Sequence, residues 1–536
     1  MKEQSTGKGF AILSAATMAV KLLSIIYMPF LLRIIGGDRP YAIYQVTYQI
    51  YVFIYVLTNT GIPSAISKLV SEFMAVGNYR SAIKAFKISR FLLFAIGIIM
   101  AVFMFAISKP LTEYMNYREA RYSVIALCPA ILFTSVASAY RGYFQGRSNM
   151  KPTAISQVLE QIINTVFSLS FAAIFIGYGV EAGVVGATVG TTLGALASTV
   201  YLIVTYEKNK HIKVVNFDGS KKFIKHTNNQ VLRRIIKYSV PITICIGITN
   251  AGNIIDSYNI TARLIAGGAL KNYAQSIYGM YGKYMTLSNM PITIISALAM
   301  AILPAVSKAV ALKDKKLIGN KINFAFKTNF LIAIPAAVGF SVLGDPIYRL
   351  LHLGDGYKIM MFGSIVVILM ALVQIQTSIL QGMGRLYVVT FYSVLGLVVK
   401  FIVNYILVAV PSINIYGAII GSIAGFILPI VLNIIYMQKI LKLKIDFLSY
   451  VFKPLVSSIF MAAVTYVVYN ILIYLLKFII VGYLNNAIAL FISIAVGVIA
   501  YFYSIVFIKG ISKEELDIMP NKIKKIIPKR VFSNIE

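Results

Sequence analysis

The chain has 536 residues, of which 59% are hydrophobic and 13% charged, and its formal net charge is +32. Its mean hydropathy is +0.80. A soluble domain is closer to a quarter charged, so this composition excludes one. The basic residues cluster in particular loops between apolar runs, which excludes a nucleic-acid meaning for the charge.

Apolar runs of 20 or more residues recur from Phe10 to Ile508 and do not alternate as the strands of a membrane β-barrel would. The predicted fold class is therefore an all-α polytopic membrane protein. About fourteen transmembrane helices are predicted, over 10–35, 41–66, 88–108, 122–144, 153–177, 183–206, 236–262, 278–304, 325–351, 360–382, 387–410, 415–437, 451–475 and 482–508. The first run follows Lys2 and Lys8. It is too long for a signal-peptide core and lacks a small-residue cleavage site, so it reads as a retained span. Cys128 and Cys245 both fall in apolar runs, and no disulfide framework is expected.

An even span count puts both termini on one side. With that side cytoplasmic, 37 of the 50 Lys and Arg lie in inside segments, 10 lie outside, and Lys21, Lys283 and Lys400 lie within spans. This asymmetry predicts cytoplasmic termini. Segments 67–90 and 307–324 are basic and amphipathic and are expected on the cytoplasmic interface, or else as ordinary solvated loops.

The halves resemble each other. "IPSAISK" (62–68) recurs as "LPAVSK" (303–308), "RIIGG" (33–37) as "RLIAGG" (263–268), and "FQG" (144–146) as "LQG" (380–382). Common order and similar offset argue for duplication. A six-span unit keeps both copies in one orientation, so a pseudo-two-fold along the membrane normal is expected. The predicted organisation is an N-terminal lobe over 1–206, a basic linker over 207–235, a C-terminal lobe over 236–438, two extra spans within 439–508, and a basic cytoplasmic tail over 509–536. Two such lobes suit a central cavity and alternating access.

Charged residues within hydrocarbon are costly and are functional candidates by default. Lys21 and Lys283 are expected to offer cations to the cavity, or to snorkel toward an interface. Two ammonium groups there favour an anionic ligand such as a diphosphate. Asp256, Lys400 and Asn404 are expected to form a coupling ion pair or a structural one. Span 2 carries Tyr41, Tyr44, Tyr48, Tyr51 and Tyr55 on one helix face. Tyr48 and Tyr51 are candidates for a cavity wall that takes sugars, with helix packing as the alternative. Span 5 carries Gln157, Glu160, Gln161 and Asn164 as a polar stripe. It faces either the cavity or a neighbouring helix through hydrogen bonds. Arg141 and Arg147 sit at the cytoplasmic end of spans 4 and 5, as gate or motif residues.

The stretch "RGYFQGRSNMKPTAISQVLEQ" (141–161), with "TNTGIPSAISKLVSE" (58–72) and "MAILPAVSKA" (300–309), resembles the stage V sporulation protein B and MurJ-type lipid II flippases. These belong to the multidrug/oligosaccharidyl-lipid/polysaccharide exporter superfamily. The resemblance covers nearly the whole chain. It implies a bacterial plasma-membrane protein that moves lipid-linked peptidoglycan precursor from inner to outer leaflet, in growth or sporulation. Lys21 matches a basic position of the family cavity, and Lys283 matches one approximately. Two further basic positions are absent here, one of them falling near Tyr27. Asp256 and Asn404 resemble parts of a sodium site, with Lys400 in the place of the cation. Spans 13 and 14 resemble a pair that holds the polyprenyl tail.

No metal or other cofactor is expected beyond coupling to membrane potential or to a monovalent cation. The expected partners are a lipid-linked oligosaccharide, membrane lipids and cell-wall synthesis machinery, with no nucleic acid, around a monomer. The competing readings are an exporter of another polyprenyl-linked polysaccharide, a cation-coupled small-molecule exporter, a membrane enzyme and a scaffold. An enzyme fits poorly. His211, His226 and His352 lie in predicted loops or at span ends, and no paired carboxylates or phosphate loop occur.

Overall fold

The computed structural model describes residues 6–209, 227–441, 447–478 and 482–510. These form α1 (Thr6–Ile35), α2 (Asp38–Asn59), α3 (Gly61–Ala75), α4 (Tyr79–Tyr114), α5 (Arg121–Gly146), α6 (Lys151–Phe175), α7 (Val180–Asn209) and α8 (Asn228–Ala266). They continue with α9 (Lys271–Ala311), α10 (Lys315–Val342), α11 (Gly344–Leu350), α12 (Tyr357–Gly382), α13 (Leu386–Leu407), α14 (Tyr416–Leu441), α15 (Phe447–Leu476) and α16 (Tyr483–Phe507). Short 3-10 turns cover Arg118–Ala120 and Ile176–Tyr178. No strand occurs among the described residues.

Among the described residues, thirteen segments are long and apolar enough to cross a membrane, α2 and α3 counting together. The fourteenth expected span corresponds to α8. It is 39 residues long, and Asn250, Asn253, Asp256, Ser257 and Asn259 crowd its C-terminal half. A helix this polar needs protein or water around it rather than lipid.

Local chemistry sets the helix ends. Asn78 caps α4 by accepting from Ser81 N at 3.1 Å, and Asp314 caps α10 through Leu317 N at 2.9 Å. Thr227 and Gln230 form a reciprocal capping box at the start of α8. The expected linker over 207–235 is therefore helical from Asn228 onward, and its 210–226 portion lies outside the described residues. So does the tail over 511–536.

The two basic amphipathic segments also differ from expectation. Residues 67–75 belong to α3, which follows α2 after a break at Thr60 and buries Ile62, Ile66, Leu69, Val70 and Phe73. Its apolar stripe packs on protein. Residues 307–311 simply continue α9.

Packing divides the chain into two compact units. One comprises residues 1–282 with 404–415, the other 283–403 with 416–536. The division falls inside α9, so α8 and the first turns of α9 pack with α1–α7. In the first unit α6 packs most extensively on α7, and α8 lies on α2 and α3. In the second, α10 packs on α12 and α15, and α15 pairs with α16.

The internal repeat makes the same contact twice. A Cβ placed on Gly146 of "FQG" would lie 2.7 Å from Ser67 O and from Val70 Cβ. One on Gly382 of "LQG" would lie 2.9 Å from Leu303 O and 3.1 Å from Val306 Cβ. Each glycine thus lets its helix approach the partner motif, 62–68 or 303–308. Gly142 likewise admits Pro63 O. Gly142 and Gly146 therefore serve close α5–α3 packing.

Candidate functional site

The densest polar cluster around the sequence-selected residues is in the first unit, where α2, α5, α6 and α7 meet. Arg141 on α5 is buried. Its Nη2 donates to Glu160 Oε2 on α6 at 2.6 Å and to Ser198 Oγ on α7 at 2.8 Å. Its Nε donates to Ser156 Oγ at 3.1 Å. A charge taken out of water is tolerated when its protons are used this fully. The side chains of Arg141 and Glu160 are 8% and 25% exposed, so the carboxylate is the member nearer open space.

The tyrosine face of α2 borders this pair. Ring centroids follow one another at 6.1 Å (Tyr41–Tyr44), 5.8 Å (Tyr44–Tyr48), 5.7 Å (Tyr48–Tyr51) and 5.9 Å (Tyr51–Tyr55). The ladder is continuous because the 3,4 spacing keeps successive rings on one face. Tyr55 lies against Arg141, and Tyr48 and Tyr51 feel the charge of Glu160. Tyr48, Tyr51, Glu160 and Arg141 are thus brought together. From the sequence Arg141 and Glu160 are separate features, a gate residue and a cavity residue. The structure makes them one ion pair.

The polar stripe on α6 divides. Asn164 Oδ1 accepts from Ser168 Oγ at 2.8 Å and Thr191 Oγ1 at 3.1 Å, so Asn164 serves the α6–α7 seam. Gln161 turns along its own helix toward Thr165 at 3.4 Å. Gln157 Oε1 is buried without a hydrogen-bond partner, one turn from Glu160. Arg147 stacks over Tyr143 at 5.5 Å and donates to its hydroxyl at 3.2 Å, at the end of α5 and apart from the Arg141 network.

Lys21 is exposed on a flank of α1, away from the packed row of Tyr27, Leu31 and Ile35. Lys283 differs from expectation. It is fully buried, and its ammonium donates to Leu353 O at 2.6 Å and Asp355 O at 2.7 Å. It caps the loop after α11, where His352, Gly354 and Gly356 take positive φ and turn the carbonyls inward. An ammonium held this way is not an open cavity cation.

Asp256 on α8 and Asn404 on α13 meet. Asn404 Nδ2 donates to Asp256 Oδ1 at 3.1 Å, and both are buried. Lys400 lies one turn before Asn404 on α13. It belongs to the second unit, where Gly425 packs against its Cβ. Cys128 and Cys245 are both buried.

The second unit carries an apolar groove of about 430 Å³ between α10, α15 and α16, lined by Pro335, Phe340, Met461, Thr465, Gly497 and Tyr501 among others. α10 gives the groove a wall beside the last two helices, through packing that no local sequence signal encodes.

This helical fold is that of the transporters of the MOP superfamily. It matches a multidrug resistance MATE family transporter in an inward-facing conformation at a TM-score of 0.65 and 16% identity, covering 79% of this chain and 98% of that one. A MOP superfamily transporter from Pyrococcus furiosus matches at a TM-score of 0.60 and 15% identity, covering 82% and 97%. The polysaccharide biosynthesis protein family model matches residues 6–310, and the chain belongs to that family. It is 26% identical to stage V sporulation protein B of Bacillus subtilis over 84% of this chain and 87% of that protein. It is 25% identical to the lipid II flippase MurJ of the same organism over 92% and 94%.

Proposed function

We propose that this protein is an alternating-access flippase, without enzymatic activity, that moves lipid II from the inner to the outer leaflet of a bacterial plasma membrane. Both termini are cytoplasmic in this reading. The observation that carries it is the near end-to-end match to a lipid II flippase. The physical need is clear, because a diphosphate–sugar headgroup is strongly disfavoured in hydrocarbon. A path lined by polar and charged side chains lowers that barrier.

Three features support the reading. Lys21 remains available to an anionic headgroup. The Arg141–Glu160 network with Tyr48 and Tyr51 provides a polar patch within the first bundle. The groove between α10, α15 and α16 fits a prenyl tail, which gains about 0.8 kcal/mol per buried CH₂. Asp256 and Asn404 are the coupling group in this reading, and membrane potential drives the cycle.

The shared fold makes a small-molecule exporter the second reading. The solved transporter is covered almost fully while about a fifth of this chain is left over. The apolar groove between α10, α15 and α16 favours a lipid substrate. Depleting the protein in cells lacking other flippases tests the choice. Lipid II then becomes inaccessible to an outer-leaflet probe. Unchanged accessibility rejects the lipid II assignment.

A further inference from the structure

We propose that the first unit binds an amino acid or short peptide whose ammonium and carboxylate are both free. The site is a cavity of about 330 Å³, walled by Arg39 and Ile43 of α2, Glu119 of the turn after α4, and Tyr178, Gly179 and Glu181 of the α6–α7 connection. Ligand pockets span about 300–1,000 Å³, so this one suits a small molecule. The orientation set by the basic loops puts it on the outer side. The proposal goes beyond the transport reading and does not depend on it.

The α2 wall is held in place from behind. Arg39 Nη2 donates to Glu119 Oε1 at 3.0 Å, and Arg39 Nε donates to Gln275 Oε1 at 2.9 Å. Gln275 Nε2 in turn donates to Asn116 O at 2.9 Å. These bonds fix the guanidinium plane through two of its nitrogens, and Nη1 has no acceptor among the described residues. The facing wall is shaped by Gly179. Its φ of 120° with ψ of 166° lies in a region that essentially only glycine occupies. A Cβ there would meet nothing within 4 Å, so backbone conformation and not crowding calls for glycine. The bend leaves Tyr178 and Glu181 on the same cavity. Tyr178 is 84% exposed.

The charges select the ligand. Glu119 is already engaged, because its Oε1 also lies 3.7 Å from Lys271 Nζ. Glu181 is exposed and makes no ion pair or hydrogen bond among the described residues. It is too far from Arg39 for the two to pair, which leaves room between them. The cavity therefore presents a carboxylate without a cation and a guanidinium edge without an anion. A ligand of one charge satisfies one group and is repelled by the other. An ammonium on Glu181 and a carboxylate on Arg39 satisfy both. The face of Tyr178 adds a cation–π surface for the ammonium. The peptide of a peptidoglycan precursor and a soluble peptide share this chemistry.

The test uses the purified full-length protein in nanodiscs. The chain holds no tryptophan, so Tyr178→Trp places a single fluorescent reporter on the rim and keeps an aromatic face. The tripeptide Lys-Ala-Ala with free ends gives a saturable change. Acetylating its amines or amidating its carboxylate weakens binding about tenfold, as expected for losing a charge-assisted contact. Glu181→Gln weakens the free peptide about tenfold and leaves the acetylated one unaltered. No saturable change overturns the site, and equal binding of free and acetylated peptide overturns the ammonium contact. If Tyr178→Trp fails to fold, calorimetric titration of the parent protein and of Glu181→Gln decides by the same criteria. Lipid II that displaces the tripeptide marks the substrate's own peptide as occupant, and simultaneous binding marks a soluble one. No transport is measured, so failure leaves the transport reading standing.

Discussion

Arg141 and Glu160 stand 2.6 Å apart within the first bundle, on different helices and nineteen positions apart. The same guanidinium also reaches Ser156 and Ser198, so one side chain ties α5, α6 and α7. In Arg141→Gln the carboxylate of Glu160 loses its counter-charge in a poorly hydrated place. Breaking such a pair costs about 3 kcal/mol. The thermal midpoint in detergent falls clearly in Arg141→Gln, and Glu160→Gln added to it recovers part of the loss. A double variant no better than the single one contradicts the pairing energetics.

Lys283 separates a structural cation from a substrate cation. Lys283→Met leaves the carbonyls of Leu353 and Asp355 short of a donor inside the protein. Each unsatisfied buried group costs about 1–3 kcal/mol. Thermal stability falls, while the apparent substrate affinity of the folded fraction stays within about twofold. A tenfold loss of affinity with an unchanged melting curve would restore the cavity role.

Asn404 donates to Asp256 at 3.1 Å. Asn404→Leu removes that donor and lowers stability by about 1–2 kcal/mol. In the proposed coupling group, transport by this variant also loses part of its dependence on membrane potential. Flux measured in vesicles at imposed potentials checks this. An unaltered potential dependence would leave Asn404 a purely structural partner.

The apolar groove predicts a dependence on tail length. Ala462→Phe places a ring among Pro335, Phe340 and Tyr501. Flipping of a long-chain prenyl substrate drops about fivefold, as expected for losing about 1 kcal/mol of tail burial. A short-chain analogue, which cannot reach the groove, is flipped at the unaltered rate. Equal losses for both substrates would mean that the substitution disturbs the fold.

The sequence carries the helices well, because span length and apolar continuity are local properties. The grouping of Asp256 with Asn404 was legible through the family resemblance and not through spacing. The Arg141–Glu160 pair was not. Arg141 lies close enough to a loop to pass for an interfacial residue, and nothing in one dimension says that α5 turns it inward toward α6 and α7. Lys283 misleads in the same way. Its mid-helix charge reads as functional, while the receiving carbonyls belong to a loop about seventy residues away whose backbone geometry is set by positive φ. Gly142 and Gly146 have two local explanations, a turn or a close helix contact, and only the position of α3 decides.

The central claim is that this chain itself carries a lipid-linked oligosaccharide across the bilayer. The direct measurement reconstitutes the purified full-length protein into vesicles containing lipid II labelled on its headgroup. A membrane-impermeant quencher then reads the protected fraction. With a membrane potential imposed, protein-containing vesicles transfer the label between leaflets at a rate proportional to protein content, and protein-free vesicles do not. Transfer at the protein-free rate, with the protein folded and inserted, would contradict the account.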